Sequence, residues 1–211
     1  MRLPDPEKEK LIRLRALEMV VELGLDGFSM QKLARRVKVS PSTLYVYFTD
    51  RDDLIFQLFR SEMGELSRSI LDGFRPEMSF AEGLGVQWRN RIRYALGFPL
   101  QADFLEQIRN SPYHEPFLTR LGPEFFEAMR GFVAAAVARG ELRKVPVEVY
   151  WALAFAPLYQ LIKFHRHGFG KPHCGKAPQA FVLSEEIVKI ALEMVVRGLT
   201  PEPAGDDGAG E

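Results

Sequence analysis

The chain has 211 residues, 46% of them hydrophobic, which is enough to bury a sizeable core in one large domain or two small ones. Lys+Arg and Asp+Glu both number 28, which excludes a protein that binds nucleic acid over its whole surface and leaves room only for a local basic patch. The single cysteine excludes an intrachain disulfide, and the N-terminus has no apolar signal core. We therefore expect a soluble, cytoplasmic protein.

Helical periodicity dominates the first sixty residues, and no segment alternates convincingly with period two. Asp5 followed by Pro6 predicts the start of a first helix, because Asp is a good N-cap and proline is favoured at the first helical position. Gly24 is placed to end that helix in a left-handed turn. Ser29 and Ser40 predict the starts of two short helices, and residues 49–52 read as a capping box that opens a longer fourth helix.

The rest of the chain is also predicted to be helical. Residues 79–82 form a capping box, and the last helix is predicted to begin near Ser184 and end at Gly198. Pro157 should kink the helix that Pro146 begins, because it removes a backbone hydrogen bond. Three prolines are each placed at the start of a helix, namely Pro99, Pro123 and Pro146. The fold class that follows is all-α.

Residues 28–48 carry the most specific pattern in the chain. Two helices fit into about twenty residues, so the turn between them must be very short. Ala34 lies where the helices would cross, and Val39 and Leu44 are spaced to fill the hollow between them. The outer face of the second helix is left with small hydroxyls and tyrosines: Pro41, Ser42, Thr43, Tyr45 and Tyr47. Such a face is unusual for a solvated helix and is typical of a helix in the DNA major groove.

The charge of this segment agrees with that interpretation. Between Phe28 and Arg51 one acid, Asp50, stands against five basic residues, a local excess of +4: Lys32, Arg35, Arg36, Lys38 and Arg51. In a chain with no net charge, this excess is the electrostatic signature expected of a phosphate-binding patch.

Residues from about 8 to 60 resemble the DNA-binding domain of TetR-family regulators. The resemblance is carried by Gly24, Phe28-Ser29-Met30, Leu33-Ala34, Val39-Ser40, Thr43-Leu44-Tyr45, Phe48 and Arg51-Asp52-Asp53-Leu54. It implies that Ser29 and Gln31 contact phosphate or an adjacent base, and that Arg51 contacts phosphate. It also implies that the start of the second short helix faces base edges and that Tyr45 and Tyr47 hold the DNA backbone. The predicted DNA-binding residues are Ser29, Gln31, Lys38, Ser40, Pro41, Ser42, Thr43, Tyr45, Tyr47 and Arg51.

One residue departs from the family pattern. Lys38 stands at the turn position that is usually glycine, where a left-handed backbone would cost a non-glycine residue roughly 1 kcal/mol. Either the turn differs slightly from that of the family, or the added charge helps to bind DNA.

The resemblance also implies the division of the chain. We expect a helix-turn-helix DNA-binding domain in residues 1–52 and a helical ligand-binding and dimerisation domain in residues 53–199. The composition of residues 200–211, rich in Pro, Gly and acidic residues, separately predicts a disordered tail. Residues 148–164 and the last helix are apolar on most sides, which predicts that both pair with a second subunit in a homodimer. Two DNA-binding domains set roughly 34–36 Å apart would read a palindromic operator.

Aromatic residues are frequent in the second domain, which is compatible with a ligand pocket but also with ordinary core packing. The candidate pocket residues are Trp88, Phe104, Phe125, Met129, Phe132, Trp151, Phe155 and Tyr159. Arg89, Arg91 and Arg93 would admit an anionic ligand, although a solvated face is favoured for them. The predicted function is a ligand-responsive, sequence-specific regulator, a repressor released from its operator by a small apolar or aromatic effector. The alternative is a DNA-binding adaptor or nucleoid-type protein that has no small-molecule ligand.

No pattern in the sequence predicts an enzyme. There is no Ser-His-Asp order, no glycine-rich phosphate loop and no pair of carboxylates within an apolar pattern, so no catalytic residue and no cofactor are predicted. A glycine-rich loop is surrounded by His165, His167, His173 and Cys174. Their spacing matches no established metal site, and no metal is predicted there.

Overall fold

The computed structural model describes residues 5–120, 124–168 and 181–202. Within these ranges every regular element is an α-helix, so the predicted all-α fold class is confirmed. The helices are α1 Pro6–Gly27, α2 Met30–Arg36, α3 Pro41–Leu44, α4 Arg51–Ile70, α5 Phe80–Gly97, α6 Pro99–Arg109, α7 His114–Thr119, α8 Glu124–Ala138, α9 Val147–Ala154, α10 Ala156–His167 and α11 Glu185–Leu199. None of them has both the length and the apolar character needed to cross a membrane.

The chain divides into two units by its internal contacts. Unit 1 comprises residues 1–70 and 93–125, and unit 2 comprises residues 71–92 and 126–211. One boundary between them falls inside α5, and unit 1 also includes α4, α6 and α7. These structural units therefore differ from the predicted functional domains, 1–52 and 53–199, which stay predictions. Only residues 200–202 of the predicted tail lie within the described ranges.

Unit 1 is built around the packing of α1 against α6, with α2, α3 and α4 completing the core. Ile12, Leu33 and Leu54 are fully buried in this core. Phe59 packs against Phe117 with ring centroids 5.4 Å apart, which anchors α4 to α7. The burial of these side chains supplies the main stabilising free energy of the unit, at roughly 25 cal/mol for each Å² of apolar surface removed from water.

Unit 2 has a separate aromatic core. Phe132 of α8 is fully buried and lies 5.1 Å from Phe74 and 6.2 Å from Phe80, measured between ring centroids. Gly83 is required at this place, because a Cβ atom there would stand 2.4 Å from the Phe132 ring. The Trp88 indole donates a hydrogen bond to the carbonyl oxygen of Ala154 over 2.8 Å, which joins α5 to α9.

Local signals in the sequence predict most helix starts. The side chains of Ser29, Ser40 and Ser184 each accept a hydrogen bond from the backbone N–H three residues later, as predicted for N-caps. The capping box of α4 is shifted by one residue from its predicted position. Asp50 accepts from the N–H of Asp53, and the Asp53 carboxylate accepts from the N–H of Thr49, because α4 begins at Arg51.

Two predicted helices differ in extent from the prediction. Gly24 has a positive φ of 73°, but it kinks α1, which continues to Gly27. The helix predicted to start at Pro146 is divided into α9 and α10 at Phe155, two residues before Pro157. Pro157 has no N–H to donate to the preceding turn, so the predicted kink is a full break between two helices.

Candidate DNA-binding site

Helices α2 and α3 form a helix-turn-helix. Leu33, Ala34 and Leu44 are buried between these helices and α1, with Leu33 and Leu44 fully inaccessible to solvent. The backbone N–H of Val39 donates to the carbonyl oxygen of Ala34 over 3.0 Å, which closes the turn. The small side chain of Ala34 permits this close approach, as predicted from its position.

Lys38 adopts the left-handed backbone conformation that the glycine of the family would occupy. Its φ is 56°, and within the described residues it is the one non-glycine residue with a positive φ. The turn geometry is therefore retained, at a conformational cost of about 1 kcal/mol. The Lys38 side chain is exposed and forms no hydrogen bond or ion pair with a described residue.

A cluster of hydroxyl groups lies at the start of α3. The Oγ atom of Ser40 is 2.8 Å from Ser42 Oγ and 2.8 Å from Thr43 Oγ1, and it also accepts from the backbone N–H of Thr43. Ser40 therefore orients the two hydroxyls that follow it. Ser40, Pro41 and Ser42 are exposed, and Thr43 is half-buried.

The two tyrosines of the predicted site have different surroundings. Tyr45 is 54% exposed, and its hydroxyl forms no hydrogen bond with a described residue. Tyr47 is half-buried, packs against the core of unit 1, and accepts a hydrogen bond at its hydroxyl from the backbone N–H of Asp5 over 3.1 Å. This hydrogen bond connects the turn after α3 to the residue that precedes α1. The sequence did not predict this contact.

The start of α2 offers two further polar groups. Ser29 is half-buried and caps the helix by accepting from the N–H of Lys32 over 3.3 Å. Gln31 is exposed. Of the predicted pair, Gln31 therefore has the freer side chain, because the Ser29 hydroxyl already serves as a helix cap.

The basic patch is smaller than the sequence suggests. Arg36 pairs with Glu22 of α1 over 2.8 Å, so an acid distant in sequence offsets its charge. Lys32 donates from Nζ to the carbonyl oxygen of Gly27 over 2.7 Å. Arg35 and Lys38 have no side-chain partner among the described residues. Of the five basic residues, these two are the ones with no competing contact to the described part of the protein.

Arg51 is turned toward the protein. Its guanidinium donates to the carbonyl oxygens of Leu25 and Phe28, to the Tyr113 hydroxyl over 2.7 Å, and to Asp52 over 2.9 Å. A phosphate contact was expected here from the family resemblance. The observed hydrogen bonds of Arg51 instead connect the start of α4 to the end of α1 and to the loop before α7.

The predicted pocket residues do not all belong to one unit. Phe104 is fully buried in the core of unit 1. Phe125 belongs to α8, and its side chain lies outside the described part of the chain. The remaining six belong to unit 2, namely Trp88, Met129, Phe132, Trp151, Phe155 and Tyr159. Trp151 and Phe155 are in ring contact, with centroids 4.6 Å apart.

One arginine was assigned wrongly from the sequence. The favoured solvated face is correct for Arg89 and Arg93, which are exposed, but Arg91 is only 3% exposed. The structure also adds two buried polar residues that no local pattern indicated, Gln87 and Tyr150. Their environment is formed by helices far apart in sequence, so periodicity alone could not reveal it.

The histidine-rich loop is only partly described. His173 and Cys174 lie outside the described residues. The Nδ1 atom of His165 accepts a hydrogen bond from the backbone N–H of Leu183 over 3.4 Å.

Comparison with known proteins bears directly on the helix-turn-helix. Residues 12–58 match the family model described as bacterial regulatory proteins, tetR family. The "Fatty acid metabolism regulator protein" of Bacillus subtilis is 25% identical over 71 residues, 34% of this chain and 37% of that protein. The uncharacterized HTH-type transcriptional regulator YdeS of the same species is 24% identical over 162 residues, 74% of this chain and 78% of that protein. The chain thus spans about a third of the first relative and about three quarters of the second.

Solved structures share the fold of almost the whole chain. A TetR-family regulator from Marinobacter aquaeolei VT8 has a TM-score of 0.70 at 21% identity, over 94% of this chain and 100% of that one. A TetR-family protein described as a putative transcriptional regulator, from Vibrio parahaemolyticus, has a TM-score of 0.73 at 20% identity. The match covers 92% of this chain and 99% of that one. Residues 12–58 thus match the DNA-binding segment of the tetR family of bacterial regulatory proteins, and the chain shares the all-helical fold of TetR-family regulators.

Proposed function

We propose that the protein is a ligand-responsive, sequence-specific DNA-binding regulator, a homodimer that represses transcription from a palindromic operator until a small molecule releases it. The observation that carries this proposal is the exposed, hydroxyl-rich face of α3, held on a rigid helix-turn-helix. The match of residues 12–58 to the tetR family model supports the DNA-binding part, and the finer statements are inferences from the geometry of the two units.

We assign direct DNA contacts to residues on the outer side of the helix-turn-helix, all of them exposed except the half-buried Thr43. Pro41, Ser42 and Thr43 would approach base edges, and Tyr45 would donate to a phosphate oxygen. On the flanks, phosphate contacts are assigned to Gln31, Lys38 and Arg35. Ser29, Ser40, Tyr47 and Arg51 already have protein partners and would act by positioning these groups.

The surface of α11 supports the proposed homodimer. This helix is rich in aliphatic residues, yet Leu199 alone among its 15 residues is buried in the single chain. Ile190 is 51% exposed and Met194 is 70% exposed. α11 contacts α9, which exposes Val147 and Leu153. An apolar surface of this kind is typical of an isologous interface, in which the same helices of two subunits pair.

The proposed regulation links a ligand in unit 2 to the spacing of the two DNA-binding domains. A ligand that binds better to a dimer with the wrong spacing weakens operator binding, by a coupling free energy of typically about 1–3 kcal/mol. The aromatic core of unit 2, with Trp151 and Phe155 in ring contact, supports a site for an effector with an apolar part.

Selection of bound DNA from a random duplex pool at physiological salt tests the proposed function. We expect the full chain to enrich a palindrome whose half-sites lie about one helical turn, roughly 10 base pairs, apart. Enrichment of no sequence, with equal affinity for all duplexes, would instead indicate a nucleoid-type protein and overturn the proposal.

A further inference from the structure

Unit 2 buries an arginine that has no acidic partner among the described residues. Arg91 is 3% exposed, and its guanidinium lies over the Phe155 ring, with Cζ 4.1 Å from the ring centroid. Its hydrogen bonds run from Nη1 to the backbone oxygen of Gln87 (3.3 Å) and to Gln87 Oε1 (3.2 Å), and from Nε to the Tyr159 hydroxyl (3.3 Å). All three are longer than the roughly 2.7–2.9 Å typical of charge-assisted hydrogen bonds to an anion.

The described residues supply no carboxylate to this guanidinium. Its Nη2 atom makes no hydrogen bond with any of them, although a guanidinium has five N–H donors. Taking a charge out of water without a counter-charge strongly opposes folding. The buried charge therefore does not stabilise the fold. Such a charge is typical of a site that binds a ligand.

Two further donors next to Arg91 lack a partner in the described part of the chain. The Nε2 atom of Gln87 and the hydroxyl of Tyr150 are both buried and form no hydrogen bond with a described residue. Gln87 is 0% exposed and Tyr150 is 3% exposed. The Tyr150 ring meets the Phe155 ring edge-on at 6.0 Å, so Tyr150 and Arg91 pack on the same phenyl group.

These groups share one chemical preference. The guanidinium is a donor only, and the amide nitrogen of Gln87 is also a donor. Burial raises the pKa of Tyr150 to about 12, against a smaller lowering effect of Arg91, so its hydroxyl keeps its proton at neutral pH. Three unsatisfied donors therefore call for an acceptor with several lone pairs and a negative charge, which a carboxylate provides.

We propose that Arg91, Gln87 and Tyr150 form the recognition site for the carboxylate of the effector, which is therefore an organic acid with an apolar or aromatic body. The ring pair of Trp151 and Phe155, with Phe155 directly under the Arg91 guanidinium, would contact that apolar body. This inference rests on the proposed ligand-gated function and adds a carboxylate to the small apolar or aromatic effector expected from the aromatic content.

Calorimetric titration of the full-length protein tests the inference. The probes are benzoate, 1-naphthoate and octanoate, each compared with its own carboxamide, which has the same body and no charge. We expect at least one acid to bind at least tenfold more tightly than its amide. In Arg91→Met this preference should disappear. Arg89→Met is the matched control, because Arg89 lies on the same helix and is exposed, and it should keep the preference.

Thermal unfolding without any probe separates a binding role from a structural one. Removal of an unpaired buried charge should leave the Tm of Arg91→Met unchanged or raise it. Tyr150→Phe removes only the unpaired hydroxyl, so it should also keep its Tm and should weaken acid binding several-fold. If Arg91→Met does not fold, Tyr150→Phe decides the question.

Three results would overturn the inference: equal affinity for acids and amides, an acid preference that survives in Arg91→Met, or no acid with a Kd below about 1 mM. DNA binding by the same preparations distinguishes the two proposals. If the acids fail but a palindrome is still bound, only the effector class is wrong. If an acid binds but no DNA sequence is enriched, the regulator function is wrong and the acid site stands.

Discussion

Arg51 donates a hydrogen bond to the hydroxyl of Tyr113, which lies 62 residues further along the chain, over a distance of 2.7 Å. The Tyr113 hydroxyl in turn donates to the carboxylate of Asp52 over 3.0 Å. Since Arg51 also binds the carbonyl oxygens of Leu25 and Phe28, the first residues of α4 are fixed both to the end of α1 and to the loop before α7. The helix-turn-helix is thereby held in place within unit 1.

Replacement of Arg51 should therefore reduce stability without removing a phosphate contact. Arg51→Met loses several partly buried hydrogen bonds of a charged group, so we expect a loss of about 2 kcal/mol in the free energy of unfolding. The salt dependence of DNA binding should keep its slope. A fall in the slope by about 0.9, the value of one phosphate contact, with unchanged stability would contradict this assignment.

Arg35→Met provides the matched control for that measurement. Arg35 is exposed and has no partner among the described residues, so its removal should leave the Tm unchanged. If Arg35 contacts a phosphate, as proposed, the slope of log Kd against log salt concentration should change by about 0.9.

Lys38→Gly should stabilise the protein while it weakens DNA binding. The left-handed φ of 56° disfavours lysine and suits glycine, so we expect a gain of up to about 1 kcal/mol, visible as a rise of about 2–4 °C in Tm. The lost charge should weaken binding equally for all DNA sequences. Calorimetry and DNA titration on the same samples check both effects, and a lower Tm would show that the lysine side chain stabilises the turn.

Glu62 gives the stability of unit 1 a dependence on pH. Burial, and next the nearby Glu65, raise the pKa of Glu62 above its ordinary value of 4.5. Because the pKa of Glu62 is higher in the folded state than in the unfolded state, its ionisation lowers the free energy of unfolding at high pH. Below the pKa of the unfolded state the carboxyl is protonated in both states, so this destabilisation is absent. Glu62→Gln should therefore raise the Tm at pH 7, with a difference that shrinks as the pH falls toward 4.5. An equal difference at both pH values would refute the assignment, and Glu7→Gln, at an exposed site on α1, serves as the control.

Met194→Asp should break the proposed dimer. Met194 is 70% exposed on α11, so a charge there costs the isolated chain little but would be buried in the interface. Sedimentation should show the wild type as a dimer and the variant as a folded monomer. Leu96→Asp alters another exposed apolar residue, outside α9 and α11, and should remain dimeric. A wild-type monomer at micromolar concentration would rule out this interface.

Much of unit 1 was predictable because its signals are local. A serine or proline at a helix start acts within three residues, and the helix-turn-helix spacing is contained in residues 28–48. The motif located the turn at Lys38, but the sequence left its geometry open, and the structure shows the left-handed conformation. Short-range backbone chemistry decides these features, so a single sequence reveals them.

Contacts between distant residues could not be predicted in the same way. Nothing near Arg51 in the sequence indicates Tyr113, and nothing near Tyr47 indicates the N–H of Asp5. α7 was missed because it has only six residues and contains Pro116. The burial of Arg91 depends on Phe155, between α9 and α10, and on Tyr159 of α10. The sequence of α5 alone predicts a solvated arginine, but the structure shows a buried charge with no acidic partner among the described residues.

Variants of the two tyrosines distinguish a residue that contacts DNA from one that positions the helix-turn-helix. Tyr45 is exposed and Tyr47 has a protein partner, so Tyr45→Ala should lower DNA affinity at constant Tm. Tyr47→Phe should lower the Tm through the loss of one hydrogen bond, worth about 1 kcal/mol. Leu14→Ala, which truncates an exposed side chain of α1, is the control for both.

The central claim, that the exposed face of α3 reads DNA, is tested most directly by the affinity of Tyr45→Ala for the palindrome that the wild type selects. We expect the Kd to rise at least tenfold at physiological salt, while circular dichroism and Tm match those of the wild type. An unchanged Kd for both Tyr45→Ala and the Leu14→Ala control would show that this face does not touch DNA, and would contradict the account.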